Sequence, residues 1–131
     1  MIVVAVASGT SVDGLDVGLL DLTLDDGTLT ARVLDTWTDA WPGDLRESLL
    51  AVLPPATTTA AELCALDTGV GQAVAAAAAR AVARAPGEVT LVVSPGQTVH
   101  HEVVGDTCLG TLQVGQPSWV VEATGLPVVS D

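Results

Sequence analysis

The chain opens on an apolar run from Ile2 to Ala7, which Ser8-Gly9-Thr10-Ser11-Val12-Asp13-Gly14-Leu15-Asp16 then interrupts with glycines, hydroxyls and carboxylates. An unbroken apolar hexapeptide suits a strand buried on both faces. Leu15, Val17 and Leu19 resume with a period of two, leaving Asp16, Gly18 and Leu20 on the other face, and so predict a second strand. Asp25-Asp26-Gly27 is a strong hairpin turn, because Asp and Gly tolerate positive φ. A third strand is expected from Leu29 to about Trp37.

Trp41-Pro42-Gly43-Asp44 ends the strand pattern and starts a short helix over roughly 44–53, closed by Pro54-Pro55. Thr59-Ala60-Ala61-Glu62 has the form of a capping box. Leu63, Leu66, Val70, Val74, Ala77 and Ala81 then trace one face of a long helix to about Ala85, and Pro86-Gly87 stops it. Alanines at 75–79 allow close packing onto a sheet, while Gly69 and Gly71 weaken the helix locally. Val89 to Val93 reads as a short strand, with Ser94-Pro95-Gly96-Gln97-Thr98 as the loop at its end. Thr111 to Val114 is a further short strand. Gln116-Pro117-Ser118 begins a helix over Trp119 to Thr124, Gly125 ends it, and Leu126 to Val129 begins another strand.

Composition narrows the functional classes. With 131 residues and 49% hydrophobic content, the chain is about one small domain with enough apolar side chains for a core. Sixteen acidic residues face only four cations, Arg32, Arg46, Arg80 and Arg84, for a net charge of −12. Such a surface repels nucleic acid and anionic membrane. Any polyanion bound here must be held by backbone N–H groups, by a metal, or by residues outside these 131. The N-terminus lacks a basic region before its apolar run, and no stretch reaches the roughly 18 apolar residues of a membrane span, so the cytoplasm is the expected compartment. Cys64 and Cys108 are too few and too far apart for a zinc site or disulfide framework, and both are expected as reduced, small core residues.

The turn after the first strand is the main candidate for chemistry. Gly9 and Gly14 let backbone N–H groups approach an anion closely, and Thr10 and Ser11 add hydroxyl donors. Asp13 and Asp16 cannot bind phosphate directly; they can orient magnesium-bound water or fix the turn. A Val-Asp-Gly hairpin with no ligand is the plainer alternative. His100-His101-Glu102 invites a metal, but adjacent strand residues point to opposite faces, so a solvated strand or loop end is expected. Asp67 is read as a solvated or locally hydrogen-bonded carboxylate, and Trp37, Trp41 and Trp119 as packing anchors.

The order β-β-β-α-β-α-β with a hydroxyl-rich first hairpin resembles the ribonuclease-H-like, actin-like ATPase half of the sugar kinase, actin and heat-shock ATPase superfamily. Four motifs in order sharpen this: Ala7-Ser8-Gly9-Thr10-Ser11-Val12-Asp13-Gly14-Leu15-Asp16-Val17, Gly96-Gln97-Thr98-Val99, Thr111-Leu112-Gln113-Val114-Gly115 and Thr124-Gly125-Leu126-Pro127-Val128-Val129-Ser130-Asp131. Together they resemble the anhydro-N-acetylmuramic acid kinase family, over the whole chain but only the N-terminal third or so of that family's length. The fold implied is an α/β N-terminal domain, residues 1–131, with a mixed sheet and helices packed on it, truncated near Asp131 and lacking the C-terminal nucleotide-binding half.

The resemblance implies an ATP-dependent kinase of peptidoglycan recycling, which opens the 1,6-anhydro ring with water while phosphorylating O6. ATP, with Mg2+ carried through it, and the anhydro-amino-sugar are the implied ligands, and a homodimer the implied assembly. Gly9, Thr10, Ser11, Val12, Asp13, Gly14, Leu15 and Asp16 are the implied ATP phosphate-binding residues, and Gln97 and Thr98 the implied sugar-binding ones. No catalytic residue is assigned: the family's base belongs to a downstream Asp-Thr-Gly-Pro motif, which Asp67-Thr68-Gly69 echoes only in a helical pattern. Pro95 stands where the family has His, and Ala123 where an arginine is common; Ala7 replaces an aspartate of the wider superfamily. The alternatives are a non-catalytic remnant or binding subunit that pairs with a separate C-terminal half, and an unrelated acidic domain sharing the hairpin.

Overall fold

A computed structural model describes residues 1–131, and its elements follow the hydrophobic pattern closely. They run β1 (Ile2–Ala7), β2 (Leu15–Asp25), β3 (Thr28–Asp39), α1 (Gly43–Val52), α2 (Ala60–Arg84), β4 (Val89–Ser94), β5 (Gln97–Val104), β6 (Thr107–Val114), α3 (Ser118–Thr124) and β7 (Val128–Ser130). The five-stranded sheet has the order β3-β2-β1-β4-β7; β1 pairs antiparallel with β2 and parallel with β4, and β7 lies parallel to β4. This is the mixed α/β sheet expected of the ribonuclease-H-like class.

The expected loop at 94–98 is shorter than the sequence pattern predicts. Gln97 begins β5, which pairs with β6 as a separate two-stranded sheet; β6 contains the expected Thr111 to Val114 strand but starts earlier, at Thr107, and β5 is the added element. Residues 100–112 of that hairpin are exposed throughout. With no face against the core, they show no alternation from which the pair could be read.

The core sits between the sheet and α2. Val4, Val6, Val17, Leu19 and Val92 meet Val70, Val74, Ala77, Ala78 and Ala81, all buried in one cluster, so the alanine run does bring the helix close to the strands. Thr59 and Glu62 form the full capping box: the Thr59 hydroxyl accepts from Glu62 N–H at 3.2 Å, and Glu62 accepts from Thr59 N–H at 2.8 Å. The bond from Thr59 N–H, with those from the Thr58 and Thr59 hydroxyls, holds the Glu62 carboxyl below the usual glutamate range. Gly69 and Gly71 do not interrupt α2. A Cβ at Gly71 would sit 2.7 Å from Gln116 O and 2.8 Å from Trp119, so glycine is what lets α3 close on α2.

The three tryptophans are packing anchors: Trp41 is buried, Trp119 lies against α2, and Trp37 lies under the Arg84 guanidinium at 4.6 Å. The cysteines depart from expectation, since Cys64 and Cys108 are free but exposed rather than core. Cys64 falls on the solvent side of α2 and Cys108 on the exposed hairpin.

Candidate functional site at the carboxyl edge of the sheet

Parallel pairing of β1, β4 and β7 brings their carboxyl ends to one edge. Open α/β sheets hold ligands along such an edge. Two connections leave from it: residues 8–14 between β1 and β2, and Pro95-Gly96 between β4 and β5.

The 8–14 connection is built around one turn. Val12 N–H donates to the Gly9 carbonyl at 3.1 Å. Val12 has φ of 54°, a region a β-branched residue seldom enters and one that costs on the order of 1–3 kcal/mol. Two features hold it there. Its side chain is fully buried in the main cluster, and Arg46 Nε of α1 donates to its carbonyl at 2.9 Å. Val12 N–H is the only amide of this connection with an acceptor within the protein; those of Thr10, Ser11 and Asp13, like those of Ser8, Gly9 and Gly14, have none. Gly14 closes the turn against β3, where a Cβ would meet Thr38 Cγ2 at 2.5 Å and Asp39 O at 3.0 Å.

The eight turn residues therefore divide by environment. Gly9, Thr10, Ser11, Asp13 and Asp16 are exposed, whereas Val12 and Leu15 are buried and Gly14 is enclosed. Leu15 and Asp16 already belong to β2, and the Asp16 carboxylate accepts from the Thr38 hydroxyl at 2.6 Å. Asp39, beside it, pairs with Arg80 at 2.7 Å.

The structure brings Gln97 to this turn across 88 residues of sequence. Its Nε2 donates to the Gly9 carbonyl at 3.2 Å and to the Thr98 carbonyl at 3.0 Å. Two carbonyl acceptors fix which way the amide faces, because the flipped form would set oxygen against oxygen. Gln97 is fully buried, and its Oε1 has no donor. Its side chain thus lies under the turn, not on an open loop, and offers no exposed atom to a sugar. Thr98 is half-buried, and its hydroxyl accepts from Gln113 Nε2 at 3.4 Å.

Two further contacts shape the edge. Asp67 of α2 accepts from Gly115 N–H at 2.7 Å, anchoring the β6–α3 connection, so its carboxylate is hydrogen-bonded to a group distant in sequence. On β5, His100 Nε2 and Glu102 Oε2 lie 3.0 Å apart on the exposed hairpin. A cavity of about 690 Å³ between α1 and α2, lined by Leu45, Val52, Leu66 and Gly69 among others, lies elsewhere on the molecule. The sequence pattern gave no hint of the Arg46 or Asp67 contacts. Its one usable signal was that Arg46 is among only four cations in so acidic a chain.

Comparison with known proteins identifies the family. The family model described as anhydro-N-acetylmuramic acid kinase matches residues 1–131. Curated proteins named anhydro-N-acetylmuramic acid kinase are similar over the whole chain: 48% identity for one from Streptomyces avermitilis, covering 34% of its length. Another from Rhodococcus erythropolis is 46% identical over 33% of its length. A third, from Streptomyces coelicolor, is 46% identical over 34% of its length. The chain spans about a third of the length of these relatives and aligns to them from end to end. With the motifs, the mixed sheet and the family match in agreement, the chain belongs to the anhydro-N-acetylmuramic acid kinase family.

Proposed function

We propose that residues 1–131 form the N-terminal, phosphate-holding part of an ATP-dependent kinase that acts on anhydro-N-acetylmuramic acid in cytoplasmic cell-wall recycling. The observation that carries this is the set of unpartnered amides at Thr10, Ser11 and Asp13, on the ligand-bearing edge of the sheet, in a chain of this family. Backbone donors suit so acidic a chain, because they supply positive potential without lysine.

In this account the exposed Thr10 and Ser11 hydroxyls add donors to phosphate oxygens. The Asp13 carboxylate faces solvent and suits a water on nucleotide-borne Mg2+, while Thr38 holds the Asp16 carboxylate. Magnesium supplies charge neutralisation to the transferring phosphoryl group when bound. Thr98 is the proposed partner of a sugar hydroxyl, supported by its half-open position at the head of β5. None of these side chains is assigned as the base for the attacking water. That group, and the adenosine-binding half, are assigned to the part of the relatives' length that lies beyond this match. A homodimer is the proposed assembly, on the family resemblance alone.

Calorimetry with Mg2+–ATP tests the assignment. Weak binding is expected, weakened further by roughly tenfold in Thr10→Val, the order of one hydrogen bond to a charged group. Thr10 is exposed, so that variant should fold normally. Tight binding unchanged by the substitution would contradict the assignment.

A further inference from the structure

The trans peptide fixes C=O and N–H in opposite directions. Whatever holds a carbonyl inward therefore turns the next residue's N–H outward. At the 8–14 connection two carbonyls are held by groups from elsewhere in the fold: Gly9 C=O by Gln97 Nε2 at 3.2 Å, and Val12 C=O by Arg46 Nε at 2.9 Å. The next amides are Thr10 and Asp13, two of those with no acceptor. Gln97 is fully buried and Arg46 partly so, which makes both tethers part of the folded framework and not of the loop.

Arg46 has a second distinguishing feature. Arg32 pairs with Asp21 and Arg80 with Asp39, and Arg84 lies over Trp37. Arg46 alone of the four has neither a carboxylate nor an aromatic partner. In a chain of net charge −12, its unneutralised guanidinium is bonded to the one turn proposed to hold phosphate. The bond from Arg46 falls on the carbonyl of Val12, the residue with the strained φ.

We infer that Arg46 and Gln97 are positioning residues for the phosphate turn, each aiming one backbone amide at the ligand: Arg46 through Val12 onto Asp13 N–H, and Gln97 through Gly9 onto Thr10 N–H. The inference rests on the proposed phosphate role of the turn, and it moves Gln97 from the sugar side to the phosphate side of the site.

The test is an amide-resolved NMR titration of the full 131-residue chain with Mg2+–ATP and, separately, with inorganic tripolyphosphate. Wild type is compared with Arg46→Met, Arg46→Lys and Gln97→Leu, and thermal unfolding is recorded for each. Each tether is expected to act on its own amide: Arg46→Met displaces the Asp13 resonance and Gln97→Leu the Thr10 resonance before any ligand is added. Both are expected to weaken binding about tenfold or more, with Arg46→Lys recovering part of the loss. In wild type the Arg46 Nε–H resonance should shift with the turn amides on titration, a readout that needs no variant to fold. Wild-type binding with an unmoved Arg46 Nε–H, or folded variants that bind as wild type does, would overturn the inference and leave the phosphate turn standing. No turn response in wild type to either ligand would overturn both.

Discussion

At the residue scale, the turn between β1 and β2 depends on contacts that are tight or unusual in conformation. Gly14 is the sharpest case, because any side chain there collides with Thr38 and with the β3 backbone. Gly14→Val is expected to cost about 1–3 kcal/mol, the usual range for overpacking, measured by denaturant unfolding; an unchanged midpoint would show that β3 can yield. Asp67 supports the other end of the site. Asp67→Ala leaves the half-buried Gly115 N–H without its acceptor, and a loss of about 1–3 kcal/mol is expected in the same measurement. The residue-level chemistry was only partly legible from sequence. Gly9, Gly14 and their flanking hydroxyls mark a turn by type alone, whereas Arg46 and Gln97 reach it from 34 and 88 residues away. No local pattern encodes such contacts, and a buried glutamine reads in sequence as an exposed one.

At the element scale, α2 is where local signals and tertiary packing agree. Thr59 and Glu62 could be read as a capping box because both partners lie within one turn of chain, and the same was true of the Asp26-Gly27 hairpin. The β5–β6 pair was legible only in part, as the expected strand Thr111 to Val114, because residues 100–112 face solvent; the Gly105-Asp106 turn is its other local mark. Removing the cap in Thr59→Ala is expected to cost about 0.5–2 kcal/mol by thermal or denaturant unfolding.

The cap also sets a pH dependence. Glu62 is held below its ordinary pKa by hydrogen bonds from the Thr59 backbone and the Thr58 and Thr59 hydroxyls; Asp21 is lowered by hydrogen bonds from Arg32 and the Met1 amino group. Both carboxylates therefore bind protons less readily folded than unfolded. Their contribution is fully present above the unfolded values of about 4 and is lost as pH falls through the lower folded ones. Glu62→Gln keeps a capping partner but cannot titrate, so its stability should fall less steeply than wild type below about pH 4. Parallel slopes in urea unfolding across that range would show that the cap does not carry the effect.

At the scale of the whole molecule, the five-stranded sheet, one long helix and a charge of −12 define what the chain can bind and by what means. Three parallel strands end along one edge, and the turn there offers donors from the backbone in a protein nearly devoid of cations. These 131 residues supply that edge without an assigned base, so a purified, contaminant-controlled preparation of this chain is expected to show no phosphorylation of anhydro-N-acetylmuramic acid. Measurable turnover would mean that a catalytic group lies within it. The central claim, that the turn holds phosphate through its free amides, is tested most directly by adding Mg2+–ATP to the isotope-labelled chain and following every backbone amide. The account predicts saturable shifts concentrated at residues 9–16, led by Thr10, Ser11 and Asp13. Shifts centred elsewhere on the molecule, with these amides unmoved, would contradict it.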